Sequence, residues 1–235
     1  MTNTVRNKAA ERVIRIAGLS AVVAGLLFIA IQPIHPPETL ASVTTATWAI
    51  VHYATLGMVV LFLFGISGIY ARQAEETGWL GLAGVAVLSL GLLLTGALVF
   101  VEAFVEPVLA PSAPVFVEGL LGMIAGTPSE VDLGALPALW SASGALFVGG
   151  SLLFGVATLR AGILPRWASA LLAFGLPAFG IVVALVPVDI HRVAATPIGL
   201  GLAWLGYALW SERRAVAAEP LVGRLVAQPD QTGAA

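Results

Sequence analysis

Six stretches of about 20 residues carry almost no charge, and each is long enough as a helix to cross the roughly 30 Å hydrocarbon core of a bilayer. They cover residues 14–34, 48–70, 79–101, 140–159, 167–186 and 193–210. In lipid, backbone N–H and C=O groups must find partners within the protein, so apolar runs of this length dictate helices. The expected fold is an all-α integral membrane bundle of six transmembrane helices, occupying residues 14–214. Composition agrees, since 59% of the 235 residues are hydrophobic and 10% are charged, against roughly 25% charged in a soluble domain. So little polar surface excludes a soluble enzyme, a nucleic-acid binder and a disordered regulator, and makes the lipid bilayer the first partner.

Basic residues set the orientation. With the N-terminus inside, Arg6, Lys8, Arg12, Arg15, Arg72, Arg160, Arg166, Arg213, Arg214 and Arg224 fall on the cytoplasmic side, and Arg192 alone falls outside. That is a strong positive-inside bias. Glu38, Glu102, Glu106, Glu118, Glu130, Asp132 and Asp189 then lie outside. Trp48, Trp79, Trp140, Trp167 and Trp210 stand at the ends of the runs, where an interfacial aromatic belt is expected. The expected location is a prokaryotic-type plasma (inner) membrane, multi-pass, with both termini cytoplasmic. Residues 1–13 form the N-terminal segment, and residues 215–235 a tail that is disordered apart from a short amphipathic turn. The first run has a basic flank, but Gln32-Pro33-Ile34-His35-Pro36-Pro37 follows it without a small-x-small cleavage site. It reads as an uncleaved anchor.

The external segment, residues 102–139, is mostly apolar and punctuated by Pro107, Pro111, Pro114, Pro128 and Pro137. Its residues 115–125 are too short to span and read as an interfacial or re-entrant helix, either a cap over the bundle or a surface loop. Glycine is dense inside the runs: Gly57, Gly65 and Gly68 in the second, Gly81, Gly84, Gly91 and Gly96 in the third, and Gly144, Gly149, Gly150 and Gly155 in the fourth. Small residues let helices approach closely in lipid. The same faces suit a membrane-protein partner or a second copy, so an accessory subunit of a larger complex is one reading. Pro177 inside the fifth run suggests a kink.

The polar residues near the outer ends are the candidate chemistry. His35, His52 and His191 all fall on that side, Glu102 and Glu106 share a helix face at spacing i, i+4, and Asp189 and His191 flank Ile190. An ionisable group at membrane depth is costly and is by default functional. His52, Glu102 and Glu106 form the core of the expected site, and His35, Asp189 and His191 its rim. Together they make an outward-facing His/carboxylate pocket for a cation, a metal or a small polar ligand. Imidazole with carboxylate suits a divalent metal on His52, Glu102 and Glu106, although no HExxH spacing is present. The structural alternative is that His52 bonds a glutamate to knit the outer end of the bundle. A b-type haem needs two facing imidazoles, which would be His52 and His191. No cysteine is present, and the single lysine, Lys8, lies outside every run. Thiolate sites and an intramembrane Schiff base are thereby excluded. A small-solute or ion transporter needs polar groups along its whole path, yet the cytoplasmic halves offer little beyond Ser67, Ser89 and Ser151.

Gly65-Ile66-Ser67-Gly68, within residues 64–70, is similar to the GxSG serine motif of rhomboid intramembrane proteases, which also have six spans. That resemblance implies a serine paired with a histidine on a later helix. Here Ser67 lies near the cytoplasmic end of its run and His191 at the external end of another, roughly 25–30 Å apart at 1.5 Å per residue. His52 is no closer, and Ser67 receives no catalytic role. Walker A loops, GxGxxG fingerprints and nucleophile elbows do not occur. The expectation is a non-enzymatic membrane protein, with a transporter, a haem- or metal-dependent membrane enzyme and an accessory subunit as alternatives.

Overall fold

The computed structural model describes the backbone of residues 2–185 and 196–226 and the side chains of residues 9–178 and 196–211. Among the described residues there is no strand. The helices are α1 (Thr2–Ile31), α2 (Leu40–Val43), α3 (Ala46–Arg72), α4 (Ala74–Phe100), α5 (Glu106–Leu109), α6 (Pro114–Ala125), α7 (Leu136–Ala161), α8 (Arg166–Leu185) and α9 (Thr196–Val226). A 3-10 turn over Gln32–Ile34 ends α1, and a π turn over Val101–Val105 joins α4 to α5. Four stretches are long and apolar enough to cross a membrane: Ala9–Ile34, Ala46–Arg72, Ala74–Leu109 and Leu136–Ala161. They correspond to the first four expected spans. Helices α8 and α9 carry most of the last two runs. Asp189 and His191 lie outside the described residues. The backbone of α9 stays helical past Trp210, into the segment expected as a tail, and residues 227–235 lie outside the described residues.

The six long helices close into a ring. α1 packs on α3 and α9, α3 on α4, α4 on α7, α7 on α8, and α8 on α9. Glycine decides where neighbours touch. Gly18 and Gly25 of α1 face Gly206 and Gly199 of α9, Gly65 and Gly68 of α3 face Ala21 and Ala17, and Gly84 and Gly91 of α4 face Phe154 and Phe147. These pairings run in opposite sequence directions, so the neighbours are antiparallel. A Cβ on Gly84 would stand 2.5 Å from the Phe154 nitrogen, and one on Gly155 2.5 Å from the Ala173 nitrogen. Only a hydrogen side chain fits such backbone approach, the contact that replaces the hydrophobic force lipid cannot supply. By contrast, Gly57, Gly144 and Gly149 have nothing within 4 Å and face open space.

All six helices contribute to one core, in which Ala21, Phe62, Leu88, Phe154, Leu172 and Leu202 are buried. At mid-depth Phe147 of α7 meets Phe28 of α1 and Phe62 of α3, with ring centroids 6.4 and 6.0 Å apart. These rings come from different sides of the circle and fill its middle. At the arginine-bearing end, the buried Gln73 donates from Nε2 to Thr158 Oγ1 (2.7 Å), and Thr77 Oγ1 donates to the Gln73 carbonyl (2.9 Å). The α3–α4 turn is thereby tied to α7. Arg15 lies 5.8 Å over the Trp210 ring at the same end, a cation–π distance. Gly162 stops α7 with φ +69°, a left-handed conformation that side chains disfavour and glycine accepts.

At the opposite end, α2, α5 and α6 fold over the ring, and Val43, Ala110, Val117 and Leu121 pack with Trp48 in a second apolar cluster. Residues 115–125 therefore form an ordered helix packed on the bundle. Of the tryptophans at the run ends, Trp79 and Trp167 are 78% and 77% exposed, whereas Trp48 is completely buried and so cannot face the headgroups.

Candidate functional site

The site begins with a proline. Pro107 lacks an N–H, so it cannot donate to the carbonyl five residues back that the π turn directs toward it. That carbonyl belongs to Glu102. The Glu106 N–H is committed to the Val101 carbonyl. The orphaned Glu102 oxygen is satisfied from another helix, by Trp48 Nε1 at 2.8 Å, within buried surroundings. An unpaired carbonyl here would cost far more than the hydrogen bond itself contributes. Trp48 is fixed in turn by the start of α3, where the Thr45 Oγ1 caps the helix by accepting the Trp48 N–H at 3.2 Å.

One helical turn further along α3, the His52 ring stacks on the Trp48 ring, with centroids 4.1 Å apart and planes 29° from parallel. His52 Nδ1 lies 2.8 Å from the Trp48 carbonyl. A carbonyl can only accept, so Nδ1 carries a hydrogen and donates it. The other nitrogen, Nε2, stands 3.3 Å from Glu102 Oε2, and both side chains are almost fully withdrawn from the surface. That approach is close but lacks hydrogen-bond geometry, so the buried Nε2 has no hydrogen-bond partner among the described residues. Nδ1 of His52 is thus engaged by the Trp48 carbonyl and Nε2 is buried against the Glu102 carboxyl, so neither is turned toward open space as a haem ligand must be.

Glu106, one turn beyond Glu102, is 1% exposed, and its Oε2 has no hydrogen-bond partner among the described residues. It shares with Glu102 a crevice walled by Leu98, Val101, Leu120, Met123, Leu136 and Trp140. The crevice measures about 10 Å³, room for about one water molecule. The π turn explains why both carboxyls point inward. It adds a residue to the turn and so turns α5 relative to α4, while α6 closes the crevice from above.

His35, just past the 3-10 turn, packs edge-on against His52 (centroids 5.2 Å apart, planes 69°), and its Nδ1 lies 3.6 Å from Glu38 Oε1. His35, His52, Glu102 and Glu106 therefore meet at one end of the ring, as chain topology led one to expect. Asp189 and His191 lie outside the described residues. Among the described residues no three His, Asp or Glu side chains come together in a way that could hold a metal ion. His52 and Glu102 form a pair, not a metal-binding trio. Glu118, Glu130 and Asp132 are surface residues, and Ser67 is exposed on the flank of α3, its Oγ donating to the Leu63 carbonyl at 2.7 Å.

No family model matches this chain, and no curated protein or solved structure is significantly similar to it. The site must be read from its own chemistry. Sequence reasoning missed Trp48 and Glu38 as members. For Trp48 the signals were its position four residues before His52 and Pro107 five residues after Glu102. For Glu38 the signal was its i, i+3 spacing from His35.

Proposed function

We propose that this chain is a multi-pass integral membrane protein that crosses six times with both termini cytoplasmic, and that its outer-end cluster of His52, Glu102 and Glu106 holds an exchangeable proton. Two carboxyls line a crevice that contains no lysine or arginine, and the His52 imidazole stands 3.3 Å from one of them. An ionised Glu106 carboxylate there would be a buried charge with one oxygen lacking any hydrogen-bond partner among the described residues, which is costly. A space of water size admits a proton or one small bare cation, and the lack of three ligating side chains together among the described residues favours the proton. The observation that carries this reading is a pair of buried polar atoms without hydrogen-bond partners among the described residues, Glu106 Oε2 and His52 Nε2, the latter 3.3 Å from Glu102 Oε2. The aromatic filling at mid-depth, Phe28, Phe62 and Phe147, favours uptake and release from one side over conduction through the ring.

Infrared titration of the purified full chain tests this. A protonated-carboxyl C=O stretch should rise and fall reversibly across the pH range in which imidazoles and buried carboxyls titrate, and Glu106→Gln should remove it. Absence of any titrating carboxyl band that this variant removes would refute the proposal. A band that moves with sodium or potassium at constant pH would replace the proton by a small metal cation.

A further inference from the structure

Exposure falls in steps from the surface to the cluster. The side chains of His35 and Glu38 are 17% and 15% exposed, whereas that of His52 is 2% exposed. His35 touches His52 ring edge to ring face, 5.2 Å between centroids, and touches Trp48 at 6.4 Å. Its Nδ1 lies 2.8 Å from the Pro36 carbonyl and 3.6 Å from Glu38 Oε1. The remaining walls of the site, Leu98, Val101, Leu120, Met123, Leu136 and Trp140, hold no group that can take up a proton. The titratable side chains around His52 are thus His35 and Glu38 from the α1–α2 link and Glu102 and Glu106 from the π turn and α5, while α6 and α7 bring none to the crevice. Asp189 and His191 lie outside the described residues.

We infer that His35 is the relay through which the buried cluster exchanges its proton with outside water, a role that rests on the proton-holding reading of that cluster. A proton from water adds to the unprotonated nitrogen of the His35 ring, and the Glu38 carboxylate stabilises the resulting imidazolium. The two imidazoles meet edge to face, 5.2 Å between centroids, so a side-chain rotation or one bridging water lets the imidazolium hand its proton to His52 Nε2. The Nε2 lone pair has no hydrogen-bond partner among the described residues, and this nitrogen stands 3.3 Å from the Glu102 carboxyl, the next acceptor. His35 returns to the neutral form, and the reverse sequence releases the proton. Imidazole suits this task because its ordinary pKa lies near neutrality, so it both gains and loses a proton readily.

The test is the relaxation rate of the carboxyl band after a rapid pH jump, on the purified full chain. His35→Ala should slow relaxation by about 100-fold or more, the range of a lost general acid–base group, and leave the final amplitude unchanged. Free imidazole in the buffer should restore the rate in the variant. Where His35→Ala does not fold, His35→Asn keeps a donor for the Pro36 carbonyl and cannot relay, so the same slowing is expected. An unchanged rate in either variant, or a slowed rate that imidazole does not restore, overturns the relay while the cluster's titration stands. A wild-type protein with no titrating carboxyl band overturns both.

Discussion

Trp48 shows how much one side chain can settle. Its indole N–H satisfies a carbonyl that Pro107 left without a donor, its ring supports His52, and its backbone carbonyl fixes which nitrogen of His52 bears hydrogen. Trp48→Phe keeps the stacking surface and removes the donor. It should lower stability by about 1–2 kcal/mol, read as an earlier unfolding midpoint in a mild-detergent and denaturant titration, and a midpoint equal to wild type would contradict the assigned hydrogen bond. His52→Leu strands the Glu102 carboxyl in a buried site and should cost about 1–3 kcal/mol. Adding Glu102→Leu should recover most of that loss, because replacing both partners of a buried polar pair is less damaging than removing one. Additive losses in the double variant would argue against the pair. At this scale the sequence was half legible. His52, Glu102 and Glu106 stood out as costly polar groups in apolar runs. A tryptophan at a helix end reads the same whether it faces the headgroups or the interior, and only the neighbouring helix decides.

Helix faces explain the glycines. Those at Gly84 and Gly155 meet the backbone of a neighbour, and those at Gly144 and Gly149 meet nothing within 4 Å. Gly84→Leu and Gly155→Leu should therefore push helices apart and cost more than about 2 kcal/mol each, in line with overpacking of tight contacts. Gly149→Ala should be neutral or stabilising by up to about 1 kcal/mol, the helix-propensity gain. Thermal unfolding of the detergent-solubilised variants checks the contrast, and equal losses at all of these positions would contradict the close-approach account. The abundance of glycine was visible in one dimension. Which glycines matter was not, because α3, α4 and α7 are apolar all round and no polar face marks the side that a neighbour occupies. The π turn was equally hidden, since Glu102 and Glu106 at spacing i, i+4 imply an ordinary helical face. The extra residue that turns α5 inward follows from packing against α3 and α6.

For the whole molecule, the ring of alternating helices puts the histidine–glutamate cluster at one end and Arg72 and Arg160 at the other. The topology proposed from charge bias can be tested cleanly because the chain has no cysteine. Glu130→Cys and Arg160→Cys both lie at exposed positions. In intact cells a membrane-impermeant maleimide should label the first and spare the second until the membrane is permeabilised. The opposite pattern would invert the orientation, and labelling of both would break the span count.

The run lengths of apolar residues determined helix and membrane without help from any neighbour, because lipid leaves an uncharged stretch of that length one way to satisfy its backbone. The all-helical architecture and the first four long helices follow from that rule alone. Which helices touch, which carboxyls turn inward and how a tryptophan completes a broken hydrogen-bond ladder were decided in three dimensions. Those outcomes depend on pairs of residues far apart in the chain, such as Trp48 with Glu102 and Gly84 with Phe154, and a pair has no energy until both members are brought into contact.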